Sequence, residues 1–105
     1  MKVYLIRDKR GINASGEYDA TTKALTVLAG SVLSEGIAHT EKFRGANAVE
    51  KARDGIVVNR VLKKDITFKS ASTAANFVTG SSTNGLIAWK DETGRSIKDL
   101  LTGVI

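Results

Sequence analysis

The sequence predicts an α+β fold: a small antiparallel β-sheet with two or three short helices packed on one face. Three observations carry this. The first third holds short runs of β-forming residues whose connections are too brief for a helical crossover. The middle and last thirds switch to helical spacing with recognisable caps. Ten glycines and no proline punctuate the chain, so short elements are joined by tight turns.

Taken in order, Val3-Tyr4-Leu5-Ile6 is the first strand candidate, and Ile12 to Ala20 alternates loosely as the second. Asp19-Ala20-Thr21-Thr22-Lys23 reads as a reversal before Ala24-Leu25-Thr26-Val27-Leu28. Ala29-Gly30-Ser31 ends or bulges that strand, and Val32 and Leu33 can resume pairing. From Phe43 to Ala52, apolar side chains recur at Phe43, Ala46, Val49 and Ala52, a stripe that suits a helix closed by Asp54-Gly55. Ile56-Val57-Val58 fits either a strand or a helical extension. Ile66-Thr67-Phe68 reads as a strand with Ile66 and Phe68 on one face. Ser70 is an N-cap for a helix from Ala71 to Thr79, and Gly80 stops it. Leu86-Ile87-Ala88-Trp89 reads as a compact strand with Ile87 and Trp89 on one face. Asp91-Glu92-Thr93-Gly94 makes a turn. Ser96-Ile97-Lys98-Asp99 opens a final helix with Leu100 and Leu101 inside.

A length of 105 residues is one domain, with 42% hydrophobic and 26% charged residues, an ordinary globular balance. No apolar run approaches the roughly 18 residues that span a bilayer, and Met1 to Arg10 is no signal peptide, so the expected setting is cytoplasmic with no membrane role. The absence of cysteine excludes disulfides, thiolate metal sites and cysteine nucleophiles. Lys and Arg total 16 against 11 Asp and Glu, for a net charge of +5. The excess is local. Residues 40–69 carry eight cations (Lys42, Arg44, Lys51, Arg53, Arg60, Lys63, Lys64, Lys69) and four carboxylates (Glu41, Glu50, Asp54, Asp65). Residues 1–39 have a net charge of +1, and residues 70–105 are neutral. A clustered positive field attracts a polyanion through counterion release. The plain alternative is a solvated basic face that serves solubility.

Catalytic signals are weak. His39 is the single histidine, in a polar stretch with no nucleophile turn beside it. No carboxylate cluster has calcium- or magnesium-loop spacing, so neither a metal nor another cofactor is expected. Gly80-Ser81-Ser82-Thr83-Asn84-Gly85 lacks the Lys-Ser/Thr that completes a P-loop. Trp89 reads as core, with a base-stacking platform as the alternative. Ser70, Ser72 and Thr73 at a helix start read as caps, and the same helix start, with Lys69 before it, is compatible with phosphate docking.

The stretch Phe68-Lys69-Ser70-Ala71-Ser72-Thr73-Ala74-Ala75-Asn76-Phe77-Val78-Thr79-Gly80, continued by Asn84-Gly85 and Trp89, resembles the signature of a small bacterial domain of unknown function. That domain follows GIY-YIG endonuclease domains at their C-termini. Gly16 and Leu28-Ala29-Gly30-Ser31 resemble its earlier strand end, and the resemblance spans roughly Ala14 to Leu101. Ala71 stands where proline is common and Leu86 where an aromatic is common. The same block is similar to a domain associated with restriction enzymes and adenine methylases, for which DNA binding has been proposed. The nuclease's own Gly-Ile-Tyr and Tyr-Ile-Gly motifs are absent.

The resemblance and the charge together imply a recognition module rather than an enzyme, associated with a nuclease or methyltransferase, whose partner is nucleic acid, most naturally DNA. The expected contacts are the eight cations from Lys42 to Lys69, together with Ser70, Ser72 and Asn84. The alternative is a protein-interaction or regulatory module that docks a partner enzyme.

Overall fold

The computed structural model of the chain describes residues 1–103. Strand β1 (Lys2–Arg7) turns through a 3-10 turn at Asp8–Arg10 into β2 (Ile12–Tyr18). Gly11 ends that turn with φ of 66°, a left-handed conformation that glycine adopts without steric cost. β3 (Leu25–Val27) and β6 (Ile66–Phe68) complete a four-stranded sheet in the order β1-β2-β3-β6, antiparallel throughout. Between β3 and β6 the chain forms helix α1 (Ala46–Arg53) and a small hairpin of β4 (Val57–Val58) and β5 (Val61–Leu62). After β6 come α2 (Ala71–Thr79), α3 (Gly85–Ala88) and α4 (Ile97–Thr102). The class is α+β as expected, with four short helices among the described residues and a second hairpin that resolves the ambiguity at Ile56-Val57-Val58. No helix among the described residues is long and apolar enough to cross a membrane.

The core follows from strand alternation. In β2, Ile12, Ala14, Gly16 and Tyr18 point inward while Asn13 and Glu17 are exposed. Val3, Gly16, Val27 and Ile66 stand opposite one another in one row across the sheet. Gly16 is the low point of that row. A Cβ there would lie 2.9 Å from both a Leu25 methyl and the Thr26 carbonyl oxygen, and 3.6 Å from the Trp89 ring. Trp89 fills this hollow, is fully buried, and donates its indole N–H to the Ala71 carbonyl at 3.1 Å. A buried Trp removes about 200 Å² from water, worth roughly 5 kcal/mol of transfer free energy at about 25 cal/mol/Å². Its role is therefore core, and no face of the ring is left on which a base could stack.

Helix α2 is the main cover of the sheet. Ala71, Ala74, Ala75, Phe77, Val78 and Thr79 are all buried. The repeated alanines let the helix approach closely, and Phe77 packs against Phe68 with ring centroids 5.0 Å apart.

Three expectations need correction. Phe43 lies before α1, which begins at Ala46. With Ala46 and Val49 it forms a separate small apolar cluster under Ile37 and Ala38. Leu86–Trp89 is not a strand. The Asn84 side chain accepts the Leu86 N–H at 3.1 Å, which caps a helical turn, so Ile87 and Trp89 diverge to 51% and 0% exposure. In α4 it is Ile97 that is buried. Leu101 is 43% exposed, because a six-residue helix turns only one narrow face inward.

Candidate nucleic-acid interface

Six of the eight mid-chain cations are exposed. Lys42 and Arg44 flank buried Phe43 ahead of α1, and Lys51 lies on the last turns of that helix. Lys63 and Lys64 lie between β5 and β6, and Lys69 between β6 and α2. The two groups flank β6 at opposite ends, roughly 16 Å apart at about 3.3 Å per strand residue.

None of the eight forms an ion pair among the described residues. The ion pairs among the described residues are the Met1 amino group with Glu17 at 3.5 Å and His39 with Glu50. Two of the four carboxylates of the same segment have other partners. Glu50 takes His39, and Asp65 accepts the Ala29 N–H at 2.8 Å. Lys51 and Arg53 do share one broad cleft with Glu50 and Asp54, two groups of each sign, so that corner adds little net field.

Arg53 and Arg60 are only partly accessible, because both are used inside the fold. The Arg53 guanidinium donates to the Phe77 carbonyl at 2.7 and 3.1 Å, to the Ser34 carbonyl at 3.0 Å and to Ser34 Oγ at 2.8 Å. It also lies over the Phe77 ring, 5.8 Å from the centroid. Arg60 donates to the Leu33 carbonyl at 3.0 Å and the Arg10 carbonyl at 2.7 Å. Arg10, which mid-chain charge counting overlooks, donates to the Thr79 carbonyl at 2.7 Å. Three arginines from distant parts of the sequence therefore meet at the C-terminal end of α2. That end carries orphan carbonyls and roughly half a negative charge, which favours cations. Half a charge does not offset three. Burial, and after it the positive charges of Arg10 and Arg60, pull the Arg53 guanidinium well below its ordinary value, down to about 10.

The polar residues of the expected interface have structural work. Ser70 Oγ accepts the Thr73 N–H at 3.1 Å and caps α2. Ser72 Oγ accepts the Gly85 N–H at 2.9 Å, and Asn84 Oδ1 caps α3. Gly85 lies so close to Ala71 and Ser72 that a Cβ there would collide with the Ala71 carbonyl and the Ser72 nitrogen. The start of α2 is thus covered by the start of α3 on that side. His39 is exposed and pairs only with Glu50. Among the described residues no group of three His, Cys, Asp or Glu could hold a metal ion.

The arginine cluster carries no motif by which sequence spacing could find it. Its members are 43 and 7 residues apart along the chain, and only the fold joins them. A weak signal did exist at Arg60, within Asn59-Arg60 between two apolar pairs, the spacing of a two-residue hairpin turn.

Residues 5–101 match the family model described as a domain of unknown function, DUF4357. The match starts at Leu5, ahead of the Ala14 start that the resemblance implied, and takes in the second half of β1. Comparison with curated proteins and with solved structures found no match.

Proposed function

We propose that this chain, which belongs to the DUF4357 family of domains of unknown function, is a non-catalytic DNA-binding module that serves a nuclease or methyltransferase. The observation that carries this reading is the unneutralised charge. Lys42, Arg44, Lys51, Lys63, Lys64 and Lys69 are exposed, and none has a carboxylate within ion-pair distance among the described residues. Cations free of carboxylates can exchange water and counterions for phosphates, and each phosphate neutralised releases close to one counterion. Ser70, Ser72 and Asn84 support the interface by fixing its helices, while the lysines and arginines make the contacts.

The reading is tested by titrating the domain with duplex DNA at several salt concentrations. Affinity should fall steeply with salt, and Lys63→Glu with Lys64→Glu should weaken binding equally on unrelated sequences. Failure to bind DNA at low ionic strength would remove it.

A second reading, a module that docks a partner enzyme, is favoured by one observation. Leu86 and Ile87 are adjacent on α3, 37% and 51% exposed. It would gain if duplex DNA does not bind and Leu86→Asp with Ile87→Asp abolishes co-purification with a nuclease or methyltransferase.

A further inference from the structure

The mid-chain lysines are spread over the surface, but the described residues also contain a cationic cleft. It has a volume of about 470 Å³ and lies between the 3-10 turn after β1 and the loop at Glu35–Gly36. Lys9, Arg10, Gly11, Glu35, Gly36 and Arg60 line it. We propose that this cleft is a phosphate-docking site, the point at which a nucleic-acid strand is anchored; its ligand rests on the DNA-binding reading above, and its residues lie largely outside the segment that reading invoked.

Four features support the assignment. Donors are to spare: Arg60 uses Nε and Nη2 on the Leu33 and Arg10 carbonyls, which leaves Nη1 without a hydrogen bond among the described residues. Arg10 uses only Nη2, and the Lys9 ammonium has no partner there. The free N–H groups on Arg60 Nη1, with those of Arg10 and Lys9, can each donate to a phosphate oxygen.

Arg60 sits on backbone that most side chains avoid. Asn59 and Arg60 both have positive φ, 50° and 70°, as a two-residue hairpin turn demands. The second position of such a turn favours glycine, and an arginine there costs of order 1 kcal/mol or more. Opposite it, Gly11 leaves space for the guanidinium: a Cβ at Gly11 would stand 3.1 Å from Arg60 Nη2 and 3.3 Å from Nη1. The charged group sits where a side chain on its neighbour would crowd it.

The Glu35–Gly36 loop is held in place. Ser34 Oγ donates to the Gly36 carbonyl at 2.8 Å and accepts from Arg53, and the Ala38 N–H donates to the Gly80 carbonyl at 2.7 Å. Docking therefore needs little reordering of the loop. Charge completes the case. Arg10, Arg60 and Lys9 line the cleft with one carboxylate, Glu35, which forms no ion pair among the described residues. A phosphate would relieve the repulsion among the three cations.

The test is a titration of the full chain with inorganic phosphate at constant ionic strength made up with chloride, read by amide NMR shifts, and repeated with a short duplex DNA. Saturable shifts at Lys9, Arg10, Gly11 and Arg60 that duplex DNA displaces are expected. Arg60→Gly, which suits the turn but gives up the bonds to the Leu33 and Arg10 carbonyls, should abolish the phosphate shifts and weaken DNA binding about tenfold, with the salt slope reduced by about one. Glu35→Gln should tighten phosphate binding about threefold, a gain that misfolding cannot mimic. No saturable shift beyond chloride overturns the site, whatever the DNA result. Phosphate binding that DNA does not displace, or full DNA affinity in Arg60→Gly, overturns the anchoring role. A wild-type domain that takes phosphate but no DNA overturns both the anchoring role and the DNA-binding reading, and points to a free phosphate ligand.

Discussion

The two ends of helix α2 are secured by opposite means. At its start, Ser70 caps Thr73, Ser72 holds Gly85, and Trp89 donates to the Ala71 carbonyl, all within a span of 20 residues. At its finish, the carbonyls of Phe77, Val78 and Thr79 receive Arg53 and Arg10, from 24 and 69 residues away. The first end is closed by neutral side chains from nearby chain, the second by long cations from remote chain. Locality makes the first end cheap in loop entropy and self-contained. Remoteness makes the second a tie between layers, and its positive charge remains available to a ligand.

This contrast predicts an ordering of damage. Arg53→Ala should cost the most, about 3–4 kcal/mol by urea denaturation, because the Ser34 and Phe77 carbonyls and Ser34 Oγ lose a shared donor. Arg53→Lys should recover less than half, since an ammonium cannot span those acceptors as a planar fork does. A full rescue by lysine would show that charge near the helix end, and not the forked geometry, is what matters. Gly85→Ala comes next at about 3 kcal/mol, because the added methyl must displace the Ala71 backbone. Ser70→Ala should cost about 1 kcal/mol, the ordinary value of an N-cap. If Ser70→Ala proved as damaging as Arg53→Ala, the two ends would not differ in kind.

The smallest effect belongs to a turn. Asp91 accepts from the Thr93 hydroxyl, and from the Arg95 and Thr93 N–H groups, and these bonds hold its carboxyl below the ordinary 3.8. A carboxyl with a depressed folded value contributes stability above its unfolded pKa and loses it as pH falls through the folded one. Asp91→Asn should therefore lower stability slightly at neutral pH and flatten the acid limb of a stability–pH curve below about pH 4, where wild type and variant converge. Arg53 contributes no slope between pH 5 and 8, since it is cationic there in both folded and unfolded chains.

What could be read in the sequence follows the same line. Ser70 and Gly80 mark α2 to the residue because caps are satisfied by atoms a few positions away. The Asp19 reversal and the Ser96 helix start are visible for the same reason. Leu86–Trp89 is misread because four apolar residues have no period that separates strand from helix. The deciding contact, Gly85 on Ala71, crosses 14 residues. The site divides likewise. Lysine exposure follows from residue type, whereas the withdrawal of Arg53 and Arg60 into the fold, and the recruitment of Arg10, depend on strands and loops that meet only in three dimensions.

The arginine fastening also has a direction in time. During synthesis Arg10, Arg53 and Arg60 leave the ribosome before residues 77–79, the carbonyls that Arg10 and Arg53 hold. The nascent chain thus carries these cations apart, without the carbonyls that receive them, until residues 77–79 emerge, and nascent-chain stretches ending before Phe77 should remain protease-sensitive while those that include Gly80 begin to resist.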